Sequence, residues 1–141
     1  KEYFSFILMD IDYFKQYNDT YGHQKGDDVL INVAVCLKNC LKRSSDLIFR
    51  LGGEEFGVLF KSNDKEKALC HANTLRKEIE KLKITHEKNT ASNYVTMSMG
   101  LICDSAENLP SFDKVYHQAD KLLYKAKDSG RNKVVHNNSL L

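Results

Sequence analysis

The sequence has few of the features that mark membrane, disordered or multidomain chains. No apolar run reaches the roughly 18 residues that a membrane-spanning helix needs. It has a single proline among 141 residues, and no internal repeat or low-complexity stretch. With nothing to mark a domain boundary, we expect one soluble domain, able to bury roughly 70% of the surface that its unfolded chain exposes.

Charge of one sign is also scarce. The 21 basic and 19 acidic residues leave a net charge of +2. This balance is too even to indicate nucleic-acid binding, so any electrostatic function depends on local charge placement. We expect no nucleic-acid partner and no direct membrane contact by this domain.

Cysteine is present without the spacing of a metal site. Cys36, Cys40, Cys70 and Cys103 form no CxxC pair and no Cys/His cluster. We interpret them as buried, reduced thiols of a cytoplasmic protein.

Hydrophobic periodicity predicts a β-α-α-β-β-α-β-α-β order. Alternating strands and helices with one hairpin indicate a mixed sheet covered by helices, compatible with a ferredoxin-like core of the nucleotide-cyclase and polymerase-palm type. The predicted strands are 4–11, 47–51, 56–61, 94–103 and 133–136. The predicted helices are 12–21, one starting at Gly26, 68–82, and one starting near Val115 that ends at Gly130, with a polar loop at 86–93.

Two groups of carboxylates follow predicted strands. Asp10 and Asp12 end the first apolar run, where acids should lie at the rim of the core. The alternative interpretation is a strand end in which Asp12 caps a helix. Glu54 and Glu55 follow a Gly-Gly turn, which could also be a plain solvated hairpin tip. Carboxylates from two adjacent strand ends can form an oxygen cage for Mg²⁺.

Three blocks of residues resemble the GGDEF family, the diguanylate cyclases. The first is Asp10-Ile11-Asp12-Tyr13-Phe14-Lys15 with Asn18-Asp19, Gly22-His23 and Gly26-Asp27. The second is Gly52-Gly53-Glu54-Glu55-Phe56, and the third is Ala119-Asp120, Leu123-Tyr124, Ala126-Lys127 and Gly130-Arg131-Asn132. They occur in order over nearly the whole chain, 1–141, so the resemblance is specific.

The resemblance implies a metal-dependent site with two Mg²⁺ or Mn²⁺ ions. Asp10 and Glu54 would hold the metals by carboxylate and Ile11 by its main-chain carbonyl. Glu54 is also a candidate base for the 3′-hydroxyl, and Glu55 belongs to the signature without a clear separate role. Lys15 would stabilise charge developing on the phosphates.

The resemblance also implies a GTP site. Asn18 and Asp27 would read the guanine edge, and His23 would line the site. Lys127 and Arg131 would bind the terminal phosphates, although basic residues at a helix end are more often simply solvated. The remaining candidates are backbone groups: the N–H groups near Tyr13 and Phe14, and Gly52 and Gly53, which let a ligand approach.

A further match lies five residues before Gly52. Arg43-Ser44-Ser45-Asp46 fits the RxxD pattern of the family's inhibitory product site. An arginine can fork onto a phosphate or stack on guanine, and an aspartate can accept from guanine N–H groups. The alternative is a polar turn between a helix and a strand.

The expected function is condensation of two GTP molecules into cyclic di-GMP by a homodimer, under an upstream sensor or receiver domain. The alternatives are an inactive module that binds GTP or cyclic di-GMP, a cyclase of altered base choice, and a purely structural domain. The chain starts at Lys1, after the family's DxLTxLxNR stretch, so we expect a fragment of a longer protein, which could carry a membrane anchor. Glu54 stands where many members have Asp, a substitution that active members tolerate.

Overall fold

The computed structural model describes residues 2–137, which form one mixed sheet with helices on both faces. The strands are β1 (Tyr3–Ile11), β2 (Leu47–Gly52), β3 (Glu55–Ser62), β4 (Met97–Ser105) and β5 (Val134–His136). The helices are α1 (Phe14–Tyr21), α2 (His23–Cys40), α3 (Lys65–Glu80) and α4 (Phe112–Asp128), with a short 3-10 helix at Ala106–Asn108. This element order is the predicted one.

The first strand, β1, lies at the centre of the sheet, whose strand order is β2-β3-β1-β4-β5. It runs antiparallel to both β3 and β4, whereas β5 pairs with β4 in parallel. The apolar run of β1 explains this position, because a strand covered on both faces needs apolar side chains at consecutive residues. The predicted class, an α+β fold around a mixed sheet, is confirmed.

Side-chain alternation along β1 divides the core into two halves. Ile7, Met9 and Ile11 pack in the cluster formed with α1, α2 and α3. Phe6 and Leu8 pack on the opposite face in the cluster formed with α4. No helix within residues 2–137 combines the length and the apolar character needed to cross a bilayer.

The junction between α1 and α2 differs from the prediction. We expected the second helix to start at Gly26, but α2 begins at His23 and Gly22 alone separates it from α1. Gly22 has a φ of 94°, which is accessible to glycine at little cost, and its N–H donates to the Asn18 carbonyl at 2.8 Å. The two helices therefore turn sharply against each other near the end of β1.

The segment before β4 also differs from the prediction. The strand begins at Met97 rather than Tyr94, because Tyr94 forms a β-bridge with Thr85. The predicted polar loop at 86–93 is not simply solvated: His86 is fully buried and Asn89 is 8% exposed. Their side chains bond to backbone and hydroxyl groups near the end of β1, so the segment packs against the rim of the sheet.

The prediction that the thiols are buried was wrong for three of the four. Cys103 is buried, Cys36 and Cys40 are half-buried, and Cys70 is exposed. All four are free thiols. Burial raises the pKa of Cys36 to about 11, and the neighbouring Cys40 adds to this shift.

Candidate active site

The end of β1 meets the glycine turn of the β2–β3 hairpin at one edge of the sheet. Asp10 is the cross-strand partner of Glu55, and the Ile11 N–H donates to the Glu54 carbonyl at 3.3 Å. The antiparallel register fixes this approach, because it pairs β1 with β3 continuously from Tyr3 to Asp10. The strand end and the turn tip therefore present their carboxylates side by side.

The turn itself depends on glycine. Gly52 and Gly53 have φ values of 147° and 48°, in a region that side chains with a Cβ rarely adopt. The register shifts between Arg50 and Gly52, and the Arg50 Nε donates to the Gly53 carbonyl at 2.8 Å. The bulge and the hydrogen bond from Arg50 to Gly53 set the direction in which Glu54 points from the turn.

Asp10 is a buried ionisable group with charged neighbours. It is 8% exposed, and its Oδ2 accepts from the Lys127 Nζ. Its Oδ1 is buried and has no hydrogen-bond partner among the described residues. Burial raises the pKa of Asp10 to about 6, against the lowering effect of Lys127 and with help from Glu54 and Glu55.

Asp12 lies two residues further on, in a different environment. It is fully buried, and its carboxylate accepts from the Thr96 Oγ1 at 2.8 Å, the Ser98 Oγ at 2.5 Å and the Asn132 N–H at 3.0 Å. The alternative interpretation of Asp12 as a helix cap was wrong. Tyr13 occupies the N-cap position of α1, and no side chain caps that helix.

Glu55 is held by a residue that the sequence analysis missed. The Tyr116 hydroxyl on α4 donates to the Glu55 Oε1 at 2.6 Å. This hydrogen bond, together with burial, raises the pKa of Tyr116 to about 12. Helical periodicity placed Val115 and Ala119 in the core, but it gave no reason to assign a polar contact to Tyr116.

The two basic residues at the end of α4 both reach the end of β1. Lys127 pairs with Asp10, and the Arg131 Nη1 lies 3.8 Å from the Asp12 Oδ1. The Arg131 guanidinium also lies over the Tyr13 ring, 4.2 Å from its centroid. The alternative of a plain solvated helix end does not describe them, since both side chains are less than one-third exposed.

Tyr13 begins α1 in the left-handed conformation, with φ 54°. The His86 Nε2 and the Tyr13 carbonyl are 3.0 Å apart, and a carbonyl can only accept, so Nε2 carries the proton. The Tyr13 hydroxyl also lies 2.9 Å from the Thr90 Oγ1. Buried His86 is therefore a support of the turn between β1 and α1, a role that its polar neighbours in sequence did not reveal.

Asn18 of α1 lies directly over the first turn of α2. A Cβ added to Gly26 would come within 1.7 Å of the Asn18 Oδ1, which is buried without a hydrogen-bond partner among the described residues. Asp27 follows Gly26 and is exposed, as are His23 and Lys15. The polar groups of this junction thus line a surface beside the end of β1.

Arg43 and Asp46 lie at the other end of β2 from the glycine turn. They form a turn in which the Arg43 N–H donates to the Asp46 Oδ2 at 3.3 Å and the Asp46 N–H donates to the Arg43 carbonyl at 3.0 Å. The Arg43 Nη1 also donates to the Lys61 carbonyl at 3.2 Å. This pair is therefore separate from the residues around Asp10.

Asp10, Glu54 and the Ile11 carbonyl are the oxygen donors at the sheet edge that could hold magnesium. No group of three or more His, Cys, Asp or Glu side chains that could hold a metal occurs within residues 2–137. A site of two carboxylates and a main-chain carbonyl needs fewer side chains, since Mg²⁺ is usually held by one or two carboxylates with water and substrate phosphates. The unpartnered Asp10 Oδ1 beside Glu54 fits such an ion.

Known proteins similar to this chain include several diguanylate cyclases. The family pattern described as "Diguanylate cyclase, GGDEF domain" matches residues 1–133. A relative named Probable diguanylate cyclase DgcT, from Escherichia coli strain K12, is 41% identical over 129 residues, which are 92% of this chain and 28% of that protein. The chain spans between 28% and 35% of the length of its first three curated relatives.

Solved structures agree with this assignment. The GGDEF domain of DgcB from Caulobacter crescentus in complex with c-di-GMP has a TM-score of 0.81 and 29% identity, over 96% of this chain and 78% of that one. The active GGEEF domain of a diguanylate cyclase from Vibrio cholerae has a TM-score of 0.76 and 29% identity, over 95% and 82%. Because the family pattern matches residues 1–133 and the fold agrees with solved members, this protein belongs to the GGDEF family of diguanylate cyclase domains.

Proposed function

We propose that this domain condenses two GTP molecules into cyclic di-GMP and two pyrophosphates. The 3′-oxygen of each GTP attacks the α-phosphorus of the other, forming a phosphodiester bond. The bond from that phosphorus to the bridging β-phosphate oxygen breaks, and pyrophosphate leaves with the electron pair. The 3′-hydroxyl proton passes to a base, for which Glu54 is the candidate.

The observation that supports this proposal is that the end of β1, which carries Asp10, lies beside the turn that carries Glu54. One carboxylate oxygen of Asp10 is buried without a partner, and the Ile11 backbone links the strand end to Glu54. These residues would hold two Mg²⁺ or Mn²⁺ ions. Bound divalent ions supply charge stabilisation for the attacking and leaving oxygens of a phosphoryl transfer.

The surrounding residues are suited to one GTP. Asn18 and Asp27 would hydrogen-bond the guanine edge, with His23 beside them. Lys127 and Arg131 would bind the terminal phosphates. Further charge and donors would come from Lys15 and from the N–H groups near Tyr13 and Phe14, and the bare backbone of Gly52 and Gly53 leaves room for the nucleotide.

Lys127 has to change partners in this scheme. It is paired with Asp10 in this structure, and a triphosphate offers it a more highly charged acceptor. Its movement toward the phosphates would free Asp10 for a metal. Nucleotide and metal binding should therefore promote each other.

The reaction needs two domains, because each provides one GTP and the two sites must face each other. Catalysis then depends mainly on positioning and charge neutralisation. We propose a homodimer whose pairing is controlled by an upstream sensor or receiver domain. The active GGEEF domain from Vibrio cholerae supports a catalytic role for glutamate at the third signature position.

We also propose that Arg43 and Asp46 bind the product and inhibit the enzyme. The complex of DgcB with c-di-GMP supports product binding in this family. Because the two residues lie at the opposite end of β2 from Glu54, product bound to them would not touch the acid pair of its own domain. Inhibition would then work by fixing the relative placement of the two domains.

The decisive experiment incubates the domain, joined to a dimerising segment, with GTP and Mg²⁺ and measures cyclic di-GMP by chromatography. Glu54→Gln should abolish product while leaving the unfolding temperature nearly unchanged, because a half-buried rim carboxylate contributes little to the core. Glu66→Gln, at an exposed position in α3, is the matched control and should remain active. Product from Glu54→Gln would remove Glu54 from its proposed role, and GTP binding without product in the wild type would favour a sensor module.

A further inference from the structure

We propose that Asp12 is a positioning residue that holds Arg131 in place for the phosphates of the substrate. This inference rests on the proposed function, in which Arg131 binds the terminal phosphates of GTP. It separates the two acids of the first motif: Asp10 faces the metals, and Asp12 acts through a neighbouring arginine.

The hydrogen bonds of Asp12 leave it unsuited to a metal. Both oxygens already accept, Oδ2 from Thr96 and the Asn132 N–H, and Oδ1 from Ser98. The side chain has no exposed surface, whereas Asp10 has a buried oxygen without a partner. A carboxylate that is fully bonded and sealed from solvent is a structural anchor, and the nearest cation to which it is linked is Arg131 at 3.8 Å.

The backbone that carries Arg131 needs such an anchor. Gly130, Arg131 and Asn132 have φ values of 123°, 66° and 47°, so two residues with side chains follow each other in the left-handed region. That conformation is unfavourable for such residues and persists only where the surroundings fix it. Asp12 fixes it through the Asn132 N–H, and the Arg131 N–H donates to the Ala126 carbonyl at 2.9 Å.

The Asn132 side chain ties the same turn to α3. The Arg76 Nη1 donates to the Asn132 Oδ1 at 3.0 Å, and the Asn132 Nδ2 donates to the Glu80 Oε1 at 3.2 Å. The turn after α4 is therefore bonded both to the end of β1 and to α3. Little freedom remains for the backbone on which Arg131 is mounted.

The guanidinium is oriented from two sides. Asp12 draws it toward the end of β1, and the Tyr13 ring lies against its face. A planar guanidinium held this way keeps further N–H donors for a phosphate, and an arginine that is already ordered loses less freedom on binding. Asp12 should therefore contribute to binding of the terminal phosphates and not to binding of guanine.

The test compares a nucleotide with and without those phosphates. Titration calorimetry with Mg²⁺ would use 3′-deoxy-GTP and 3′-deoxy-GMP, which lack the attacking hydroxyl and so cannot react. Asp12→Asn should raise the Kd for 3′-deoxy-GTP about tenfold, a loss of about 1.4 kcal/mol, and leave that for 3′-deoxy-GMP nearly unchanged. The double variant Asp12→Asn with Arg131→Ala should bind 3′-deoxy-GTP no more weakly than Arg131→Ala alone, since both changes remove one interaction.

Equal weakening of both nucleotides, or additive losses in the double variant, would overturn the inference in favour of a merely structural aspartate. Asp113→Asn, an exposed change of the same charge on α4, is the control and should bind both nucleotides like the wild type. If Asp12→Asn does not fold, Arg131→Lys is the second test. Lysine keeps the positive charge, but it cannot contact a phosphate through two N–H groups while it stacks on the Tyr13 ring. Wild-type affinity of this variant for 3′-deoxy-GTP would overturn the inference.

The proposed activity is judged separately in the same preparation. Normal 3′-deoxy-GTP binding without any cyclic di-GMP from GTP would defeat the cyclase proposal and leave the role of Asp12 standing. A wild-type protein that binds neither nucleotide would overturn both.

Discussion

At the scale of the residue, the two acids of the first motif show how strongly environment decides the behaviour of one side-chain type. Asp10 has a buried oxygen without a partner, and burial raises its pKa to about 6. Asp12, two residues away, is satisfied by hydroxyl and backbone donors. A buried carboxylate oxygen without a partner makes the protein less stable, and in the proposed function this oxygen of Asp10 would bind a cation.

The cost of Asp10 should be visible in the pH dependence of unfolding. Its folded pKa, about 6, is above the ordinary value of 3.8, so the folded protein holds this proton more tightly. The resulting stability is present below about pH 4 and is lost as the pH rises through 6. Between pH 4 and 7, wild type should therefore lose about 2 kcal/mol relative to Asp10→Asn, as measured by urea unfolding of both proteins. Parallel pH profiles of the two proteins would contradict this account.

Gly26 tests the proposed contact between Asn18 and guanine. Alanine usually stabilises a helix relative to glycine, by up to about 1 kcal/mol. Here the new methyl group would displace the Asn18 side chain, whose Oδ1 would otherwise lie 1.7 Å away. Gly26→Ala should therefore keep its unfolding temperature but bind 3′-deoxy-GMP more weakly, about tenfold for one lost hydrogen bond to the base. Unchanged affinity for 3′-deoxy-GMP in calorimetry would show that Asn18 does not hydrogen-bond the base.

Individual site residues were predictable where a pattern carried them. The approach of Asp10 and Glu54 follows from an apolar strand, a glycine turn and an antiparallel register. The supports of the site were not predictable, because Tyr116, His86 and Asn132 act through hydrogen bonds to residues distant in sequence. Periodicity reports which face of an element is buried, and it contains no information about such contacts.

At the scale of the element, α4 is the helix that carries most of the contacts to the acids. Its second turn holds Glu55 through Tyr116, and its last turn holds Asp10 through Lys127. The helix lies close to the sheet over Gly100 of β4, where a Cβ would come within 2.3 Å of the Ala119 carbonyl oxygen and 2.7 Å of the Leu123 nitrogen. The position of the site therefore depends on a close contact between a strand and a helix.

Gly100→Ala should disturb the fold and the site together. The atoms in its way belong to the helix backbone and cannot rotate aside, unlike the Asn18 side chain over Gly26. We expect the free energy of unfolding to fall by about 1–3 kcal/mol, together with weaker nucleotide binding as α4 moves. Denaturant unfolding and calorimetry measure the two effects, and Gly26→Ala, which should keep its stability, is the matched control for the unfolding measurement. Full stability of Gly100→Ala would show that the helix can shift freely.

Elements with a strong period were predicted well, and their boundaries less well. The apolar run of β1 and the helical spacing in α2, α3 and α4 were sufficient for their type and order. The start of β4 was misplaced because Tyr94 is as favourable for a strand as Met97, and only the bridge to Thr85 decides between them. That bridge depends on tertiary packing, which the local sequence does not express.

At the scale of the whole molecule, the sheet separates two groups of polar residues. The acid pair lies where β1 meets the glycine turn, and Arg43 lies at the other end of the hairpin. A ligand at one end cannot touch the other within a single domain. Any communication between them has to pass through the sheet or through a second domain.

Arg43→Ala tests that communication. The change removes one hydrogen bond to the Lys61 carbonyl from an exposed side chain, so stability should fall by no more than about 1 kcal/mol. Initial rates with added cyclic di-GMP should show weaker inhibition than in wild type, because the proposed product contact is lost. The neighbouring exposed Lys42→Ala is the control for a lost positive charge. If the same concentration of cyclic di-GMP inhibits Arg43→Ala and wild type equally, the turn has only a structural role.

The central position of β1 has a consequence for the motions that this domain can tolerate. Its backbone amides are paired on both sides along the strand, and the pairing extends past its end through the Ile11 N–H to Glu54 and the Asp12 N–H to Thr96. Opening of the outer strands β2 and β5 would expose other amides to deuterium first. We therefore expect the acid end of β1 to be among the slowest-exchanging segments and to keep its geometry when the edges of the sheet fray.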